Sequence, residues 1–360
     1  MATPQNKPTV GSIRPRLSTC RDIAIIMGLA VWGLYMGSGF LIPLTLALLV
    51  YVLIIAVADR VAGRFVPTWL ANLIGIAVVL TGLFAVMFVL GNQATQFARA
   101  VPTYENQFDS AVNRVVALVG NDVTKFVRDH LVDIDMSTVA RSAFGGATSF
   151  LNTFLLISLY VFFMMSERMI FRDKLRLAAN DVELGRELSS MMEAISHSLQ
   201  AYVGVKTFVS VLTSLISYAV FRWLGLEYAE TWAVLTFALN FIPSIGSIVA
   251  VVFPALVSLV QFDTITPFLI IVLFCGTVQF MIGNFLDPAL LGRSLNMSTF
   301  MVIIALTFWS AVWGVIGAFL SVPLTVCILI VFSHIPALRP VAILMSKDGE
   351  LLTADPKRPE

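Results

Sequence analysis

Ten residues in the C-terminal half of the sequence could bind a polar molecule or reshape a helix within otherwise apolar stretches. They are Lys206, Asn240, Pro243, Ser244, Gly246, Gln279, Asn284, Asp287, Gly317 and Pro323. Polar side chains inside a membrane are costly, so they tend to face a cavity or a transported solute. Ammonium, amide, hydroxyl and carboxylate groups bind small polar solutes through hydrogen bonds. This set predicts a transport pathway.

For four of these residues, a structural role is the alternative to a role in transport. Asn240 and Ser244 could bind the solute or cap the ends of two half-helices. Lys206 could belong to the site or extend its ammonium group to the membrane surface. Asp287 precedes a proline, and it could cap the next segment or couple transport to an ion. The sequence leaves these alternatives open.

Four further residues lie in the same apolar half. Gln279 and Asn284 are on one span, and their amide groups could line a solute path or bond between helices. Gly317 and Pro323 are better suited to shaping the backbone. Glycine permits a sharp reversal of the chain, and proline removes a backbone donor.

The sequence contains no motif for enzymatic chemistry or for phosphate-driven pumping. Neither a Gly-x-x-x-x-Gly-Lys-[Ser/Thr] loop nor a His-Glu-x-x-His pair is present, and the three histidines are far apart. The three cysteines show neither metal nor disulfide spacing. A net charge of +1 gives no reason to expect nucleic acid as a partner. We therefore predict a protein that is not an enzyme and needs no ATP, cofactor or metal.

The composition places these residues in a lipid bilayer. Hydrophobic residues make up 58% of the chain and charged residues 12%, with a mean hydropathy of +0.89. A soluble domain has about 25% charged residues. The sequence predicts an all-α polytopic membrane protein with about six full spans and two broken, re-entrant hairpin units.

One apolar unit, residues 229–262, is too long for one membrane helix and is broken in its middle by Pro243 and Gly246. Each half has about 15 residues, or roughly 22 Å of helix, whereas a hydrocarbon core is about 30 Å thick. Irregular backbone at that depth is tolerated where protein buries it or where it lines a cavity. We therefore expect a re-entrant hairpin with the transport site at its tip.

A second broken unit, residues 300–332, repeats this pattern with Gly317 and Pro323 near its centre. Each unit follows one complete span, so the C-terminal half contains two tandem copies. If both units are re-entrant, the two copies have opposite orientation. Paired broken segments are typical of inverted repeats in transporters. The tips of the two hairpins are expected to meet near the middle of the membrane.

The other segments are tails, spans and amphipathic helices. The predicted layout is a cytoplasmic tail (1–21), three spans (22–90), an extracytoplasmic amphipathic segment (91–145), a fourth span (146–166), a cytoplasmic interfacial helix (167–200), the transport core (201–335) and a cytoplasmic tail (336–360). With re-entrant hairpins, most lysines and arginines lie with the two termini, which the positive-inside rule assigns to the cytoplasm. If both units crossed fully, the 286–297 link would move outside, and charge counting does not separate the two arrangements.

Four short stretches of the C-terminal half stand in a recognisable order. They are 202–207 (YVGVKT), 238–247 (ALNFIPSIGS), 287–292 (DPALLG) and 320–325 (LSVPLT). Together they resemble the autoinducer-2 exporter (AI-2E) family, and its quorum-signal transport branch most of all. The resemblance implies a bacterial inner-membrane transporter that exports a small polar signalling molecule such as autoinducer-2. It also implies a homo-oligomer.

Two other functions stay open. Some members of the family are described as sodium/proton antiporters, so Asp287 could couple transport to a proton or a sodium ion. The chain could also be a non-transporting membrane scaffold whose 91–145 segment binds a partner.

Overall fold

The computed structural model of the protein describes residues 17–62, 66–86, 152–168, 182–291 and 295–350, together with positions 88–89, 92, 170 and 174. Helices are the dominant element of these ranges, and five of them are long and apolar enough to cross a membrane. The prediction of an all-α polytopic membrane protein is confirmed. The predicted amphipathic segment 91–145 lies, except for Asn92, outside the described residues.

The first four helices form the N-terminal part of the molecule. Their bounds are Leu17–Met36 (α1), Ser38–Val61 (α2), Thr68–Val86 (α3) and 152–168 (α4). Gly37 alone joins α1 to α2, and helical hydrogen bonds lie on both sides of it. Helices α2, α3 and α4 share an apolar core of Ala47, Ile54, Val79, Ile157 and Val161.

Helix α5 extends over Val182–Leu224, and its 43 residues correspond to about 65 Å of helix. Since a hydrocarbon core is about 30 Å thick, the helix continues well beyond one face of the membrane. The sequence predicts an interfacial helix up to residue 200 and a separate span after it, but the helix continues unbroken through this point. Leu199, Gln200 and Ala201 are good helix formers, so the amphipathic segment and the span share one axis.

Hairpin 1 consists of α6 (Ala229–Leu239) and α7 (Ile245–Gln261), which pack against each other. Its arms of 11 and 17 residues are about 16 and 26 Å long. At the base, the Gln261 side chain donates to the Gly225 carbonyl and accepts from the Glu227 backbone nitrogen, both over 2.8 Å. The unit therefore begins and ends on the same side of the molecule.

Hairpin 2 is the helical unit Thr299–His334 (α9), whose backbone breaks at Gly314 with φ 63° and ψ −142°. This conformation is open to glycine and strained for other residues. The indole nitrogen of Trp309 donates to the Thr325 hydroxyl over 3.1 Å, whereas 16 residues of straight helix would separate them by about 24 Å. The chain therefore folds back at Gly314 into two antiparallel arms.

The two ends of hairpin 2 also lie together. Met297, just before α9, packs in one apolar cluster with Ile330 and with α10 (Arg339–Met345). The Ser298 backbone nitrogen donates to the Met345 carbonyl over 3.1 Å. The link before hairpin 2 and the segment after it are thus on one side, as a re-entrant unit requires.

Helix α8 (Thr266–Leu291) connects the base of hairpin 1 to the base of hairpin 2. Its 26 residues would extend about 39 Å, so the two bases lie at opposite ends of it. The hairpins therefore enter from opposite sides, as an inverted repeat would. The rings of Phe241 and Phe319 stack with centroids 5.0 Å apart where the two units meet.

Candidate solute and ion site

A buried ion pair lies between α5 and α8, at the tip of hairpin 1. The Lys206 ammonium contacts the Asp287 carboxylate over 2.5 Å, and the two residues are only 7% and 9% exposed. A buried charge without its partner is strongly destabilising, whereas apolar residues in place of both are often tolerated. The pair therefore argues for a function rather than for stability alone.

Lys206 also holds the tip of hairpin 1. Its ammonium donates to the Asn240 carbonyl over 3.4 Å, and Asn240 follows directly on the last residue of α6. The C-terminal end of a helix carries partial negative charge, so a cation is favourable there. The Asn240 side chain in turn donates to the Ser210 hydroxyl over 3.0 Å. Two adjacent turns of α5 thus bind one residue of the tip.

The face of α5 that contacts the tip is polar along three turns. Lys206, Ser210, Thr213 and Ser217 recur at spacings of four, three and four residues, and all four are buried. This spacing places them on one side of a helix. Thr213 donates to the Val209 carbonyl of its own helix over 2.7 Å, so its hydroxyl is already satisfied. The hydrogen bonds between this face of α5 and the hairpin 1 tip thus involve Lys206 and Ser210.

Three polar side chains, one from the ion pair itself and two from the helices that carry it, have atoms that could form further hydrogen bonds. Within the described residues, the second carboxylate oxygen of Asp287, both amide atoms of Gln279 and the Tyr202 hydroxyl are buried without a partner. Tyr202 precedes Lys206 by one turn and interacts electrostatically with Asp287. Buried polar groups are nearly always hydrogen-bonded, so such atoms mark places where water, an ion or a ligand binds.

Two π-helical segments, Ile271–Cys275 and Ile282–Leu286, interrupt α8 on either side of Gln279. Residues seven apart share one face of an α-helix, and a π-helical turn inserts one additional residue. Gln279 and Asp287, eight apart, are therefore both buried. Asn284 is exposed instead, and its amide donates to the Phe280 carbonyl one turn earlier over 2.9 Å.

The structure thus brings Lys206, Asn240 and Asp287 together and separates other predicted residues from them. Ser244 is exposed at the tip with φ 59°, and its hydroxyl does not cap α7. Pro243 beside it is half-buried.

Gly246, Gly317 and Pro323 serve packing. A methyl group at Gly246 would overlap the Leu239 carbonyl, and one at Gly317 would overlap the Trp309 carbonyl. Pro323 is buried inside the second arm of hairpin 2.

Tyr202 is a residue near the site that the sequence analysis missed. Its signal was available, because a tyrosine one helical turn before a lysine inside a membrane span shares that lysine's face. Across the described ranges, no three histidine, cysteine, aspartate or glutamate side chains come together as metal ligands.

Broken helices whose half-helix ends lie between helices of membrane length form the solute and ion sites of many secondary transporters. Fold and site therefore define the class as a polytopic membrane transporter. A family model described as AI-2E family transporter matches residues 23–337. The chain belongs to this family, and the resemblance predicted from the four sequence stretches is confirmed.

Named relatives extend this similarity over most of the chain. The AI-2 transport protein TqsA of Escherichia coli (strain K12) is 27% identical over 90% of this chain and 95% of its own. Relatives from Borreliella burgdorferi and Haemophilus influenzae are named as candidate transport proteins. The relative from Borreliella burgdorferi is 28% identical over 70% of this chain and 69% of its own. The relative from Haemophilus influenzae is 26% identical over 89% of this chain and 94% of its own. Transport is the function common to these names.

Proposed function

We propose that the protein exports a small polar signalling molecule such as autoinducer-2, without ATP, through a site at the tip of hairpin 1. The buried Lys206–Asp287 pair supports this most directly, because its ammonium binds the Asn240 carbonyl and its carboxylate keeps one oxygen that has no partner among the described residues. The Gln279 amide, on the same helix as Asp287, also has no hydrogen-bond partner among the described residues. A solute with hydroxyl or carbonyl groups could satisfy such atoms, which are costly to leave unpaired.

The solute is proposed from the name of one relative. TqsA of Escherichia coli is an AI-2 transport protein, and this chain aligns with nearly all of it. The Lys206–Asp287 pair has no net charge, so it cannot balance the charge of a strongly charged solute. The site therefore suits an uncharged polar solute better.

We place the protein in the bacterial inner membrane with both termini in the cytoplasm. The bases of both hairpins close on themselves through Gln261 and through the contact of Ser298 with Met345. Re-entrant hairpins leave most of the 23 lysines and arginines on the side of the termini. The positive-inside rule assigns that side to the cytoplasm.

Efflux from liposomes tests the proposal. We expect purified protein to release autoinducer-2 from loaded, ATP-free liposomes faster than protein-free liposomes do. Asp287→Asn keeps the shape of the side chain but removes its charge, and it should lower the initial rate by roughly tenfold or more. Asn284→Ala is the matched control on the same helix, because Asn284 is exposed and bonds to its own helix. Efflux by Asp287→Asn at the wild-type rate would refute the site.

A sodium/proton antiporter is the second candidate, and the observation that favours it is the buried carboxylate of Asp287. A carboxylate inside a membrane protein is a common site for proton or sodium coupling. A sodium gradient should then drive proton movement that Asp287→Asn abolishes. Such movement without autoinducer-2 efflux would establish antiport as the function.

Family membership favours transport over a membrane scaffold, and we propose that the chain is not an enzyme and assembles as a homo-oligomer. Deletion of residues 91–145 separates transport from a scaffold function. A transporter should keep its efflux after this deletion, whereas a scaffold would lose its function with its binding segment.

A further inference from the structure

We propose that Lys206 is a positioning residue that couples the charge of Asp287 to the position of the hairpin 1 tip. The inference rests on the proposed transport site, and it concerns how that site controls the hairpin. Lys206 is suited to this role because its one ammonium group contacts two different elements, α8 and the tip.

The contacts form a chain from α8 to the tip. The Lys206 ammonium lies 2.5 Å from the Asp287 carboxylate and 3.4 Å from the Asn240 carbonyl. Asn240 is the first residue after α6, so its carbonyl moves with the end of that half-helix. The tip therefore has a direct bond to the ion pair.

Neutralisation of Asp287 would break this bond. If a proton or a bound cation takes the carboxylate, the Lys206 ammonium becomes a buried charge without its partner. Such a charge is too costly to keep, so the side chain must move to water or lose its proton. In either case the charge-assisted hydrogen bond to the Asn240 carbonyl is lost. The tip then loses its hydrogen bond to Lys206, while its hydrogen bond to Ser210 of α5 remains.

The remaining contacts of the tip define what release would look like. The Asn240 amide still bonds to Ser210, and Phe241 still stacks on Phe319. We therefore expect a second, distinct position of the tip rather than disorder. Lys206 and Tyr202, both from α5, are titratable groups that interact with Asp287. The tip itself contributes the uncharged Asn240 at this contact.

The position of the tip can be measured by double electron–electron resonance in lipid nanodiscs. One nitroxide replaces Ser244 at the exposed tip, and the other replaces Thr299 at the exposed base of hairpin 2. The three native cysteines are replaced by alanine. A control pair at Thr264 and Thr299 reports on the base of hairpin 1, which Gln261 holds independently of the ion pair.

Asp287→Asn should add a second distance population to the 244–299 pair and leave the 264–299 pair unchanged. Lys206→Met should produce the same population, and Asp287→Asn should then add nothing further, because both changes act through the one ammonium group. The exchanged variant K206D/D287K restores opposite charges but places a carboxylate beside the Asn240 carbonyl, so the second population should persist.

A wild-type distance distribution in Asp287→Asn would overturn the proposal, and so would an effect of Asp287→Asn that persists in the Lys206→Met background. A single wild-type population in the exchanged variant would also overturn it. The distances are measured without solute, so a failure here leaves the efflux result standing. A lack of autoinducer-2 efflux would likewise leave the coupling intact.

Discussion

Hairpin 1 and hairpin 2 share a backbone plan but differ in the chemistry of their tips. In each, a residue with positive φ turns the chain: Ser244 at 59° and Gly314 at 63°. A buried glycine follows in each, and a side chain at Gly246 or Gly317 would overlap a carbonyl of the opposite arm. In both hairpins, therefore, the two arms approach each other so closely beyond the turn that only glycine fits between them.

The side chains around the two tips are of different kinds. The tip of hairpin 1 is bound by Lys206 and lies beside an ion pair. Hairpin 2 is held by indoles: Trp309 donates to Thr325 within the hairpin, and Trp313 donates to the Leu34 carbonyl of α1 over 2.9 Å. The tip of hairpin 1 is thus bound by a charged group, whereas hairpin 2 is anchored to an N-terminal helix.

Lys206→Ala should give the largest effect, because it would leave Asp287 buried and unpaired. We expect a loss of about 3–5 kcal/mol in the free energy of unfolding, measured by thermal or denaturant unfolding in detergent. The double variant K206M/D287L removes both charges, and it should regain stability while efflux stays low. A stable Lys206→Ala variant would mean that the hairpin 1 tip does not depend on the ion pair.

Gly246→Ala and Gly317→Ala should destabilise the protein by similar amounts if the two hairpins share one backbone plan. Overpacking of this kind costs about 1–3 kcal/mol, and the same unfolding measurement applies. Gly283→Ala is the matched control, because Gly283 is exposed and no atom lies near the added methyl group. Tolerance at only one of the two glycines would show that the hairpins are not equivalent.

Trp313→Phe should weaken the anchor of hairpin 2 without changing the site. The lost hydrogen bond to the Leu34 carbonyl is worth about 1 kcal/mol of stability, and efflux should stay near the wild-type rate. Trp223→Phe serves as the control, since Trp223 is 75% exposed. A strong loss of efflux in a stable Trp313→Phe protein would assign transport chemistry to hairpin 2 as well.

The smallest effect is expected from Asn284→Ala, within about 0.5 kcal/mol of wild-type stability and with unchanged efflux. Gln279→Ala on the same helix should instead lower efflux, because the buried amide has unsatisfied atoms in the described structure. Equal effects of the two substitutions would mean that burial on α8 does not define the pathway.

Much of the fold could be predicted because it depends on local properties of the chain. Apolar runs of membrane length identify the spans, and the breaks near Gly246 and Gly317 follow from the backbone chemistry of proline and glycine. The continuous helix α5 was not predicted. A change from amphipathic to apolar composition at residue 200 suggested a boundary, but the backbone bonds there are unaffected by that change.

The candidate site could be predicted only in part. Lys206, Asn240 and Asp287 were each identified, yet separately and with structural alternatives. Asn284 and Gln279 were equivalent as sequence. Their spacing of five residues places them on different faces of α8, and the packing of that helix left one exposed and buried the other. Tyr202 was part of the 202–207 stretch but was not identified as a site residue, because a tyrosine in a membrane span draws attention only when a carboxylate lies near it.

The sequence by itself determined that this is a membrane protein whose C-terminal half contains two broken apolar units. Those features follow from composition and from backbone preferences within short segments. The tertiary structure alone decided that Lys206 meets Asp287, 81 positions away, and that the same ammonium group donates to the Asn240 carbonyl. Such a contact depends on the packing register of α5, α8 and the hairpin tip, and no local pattern encodes that register.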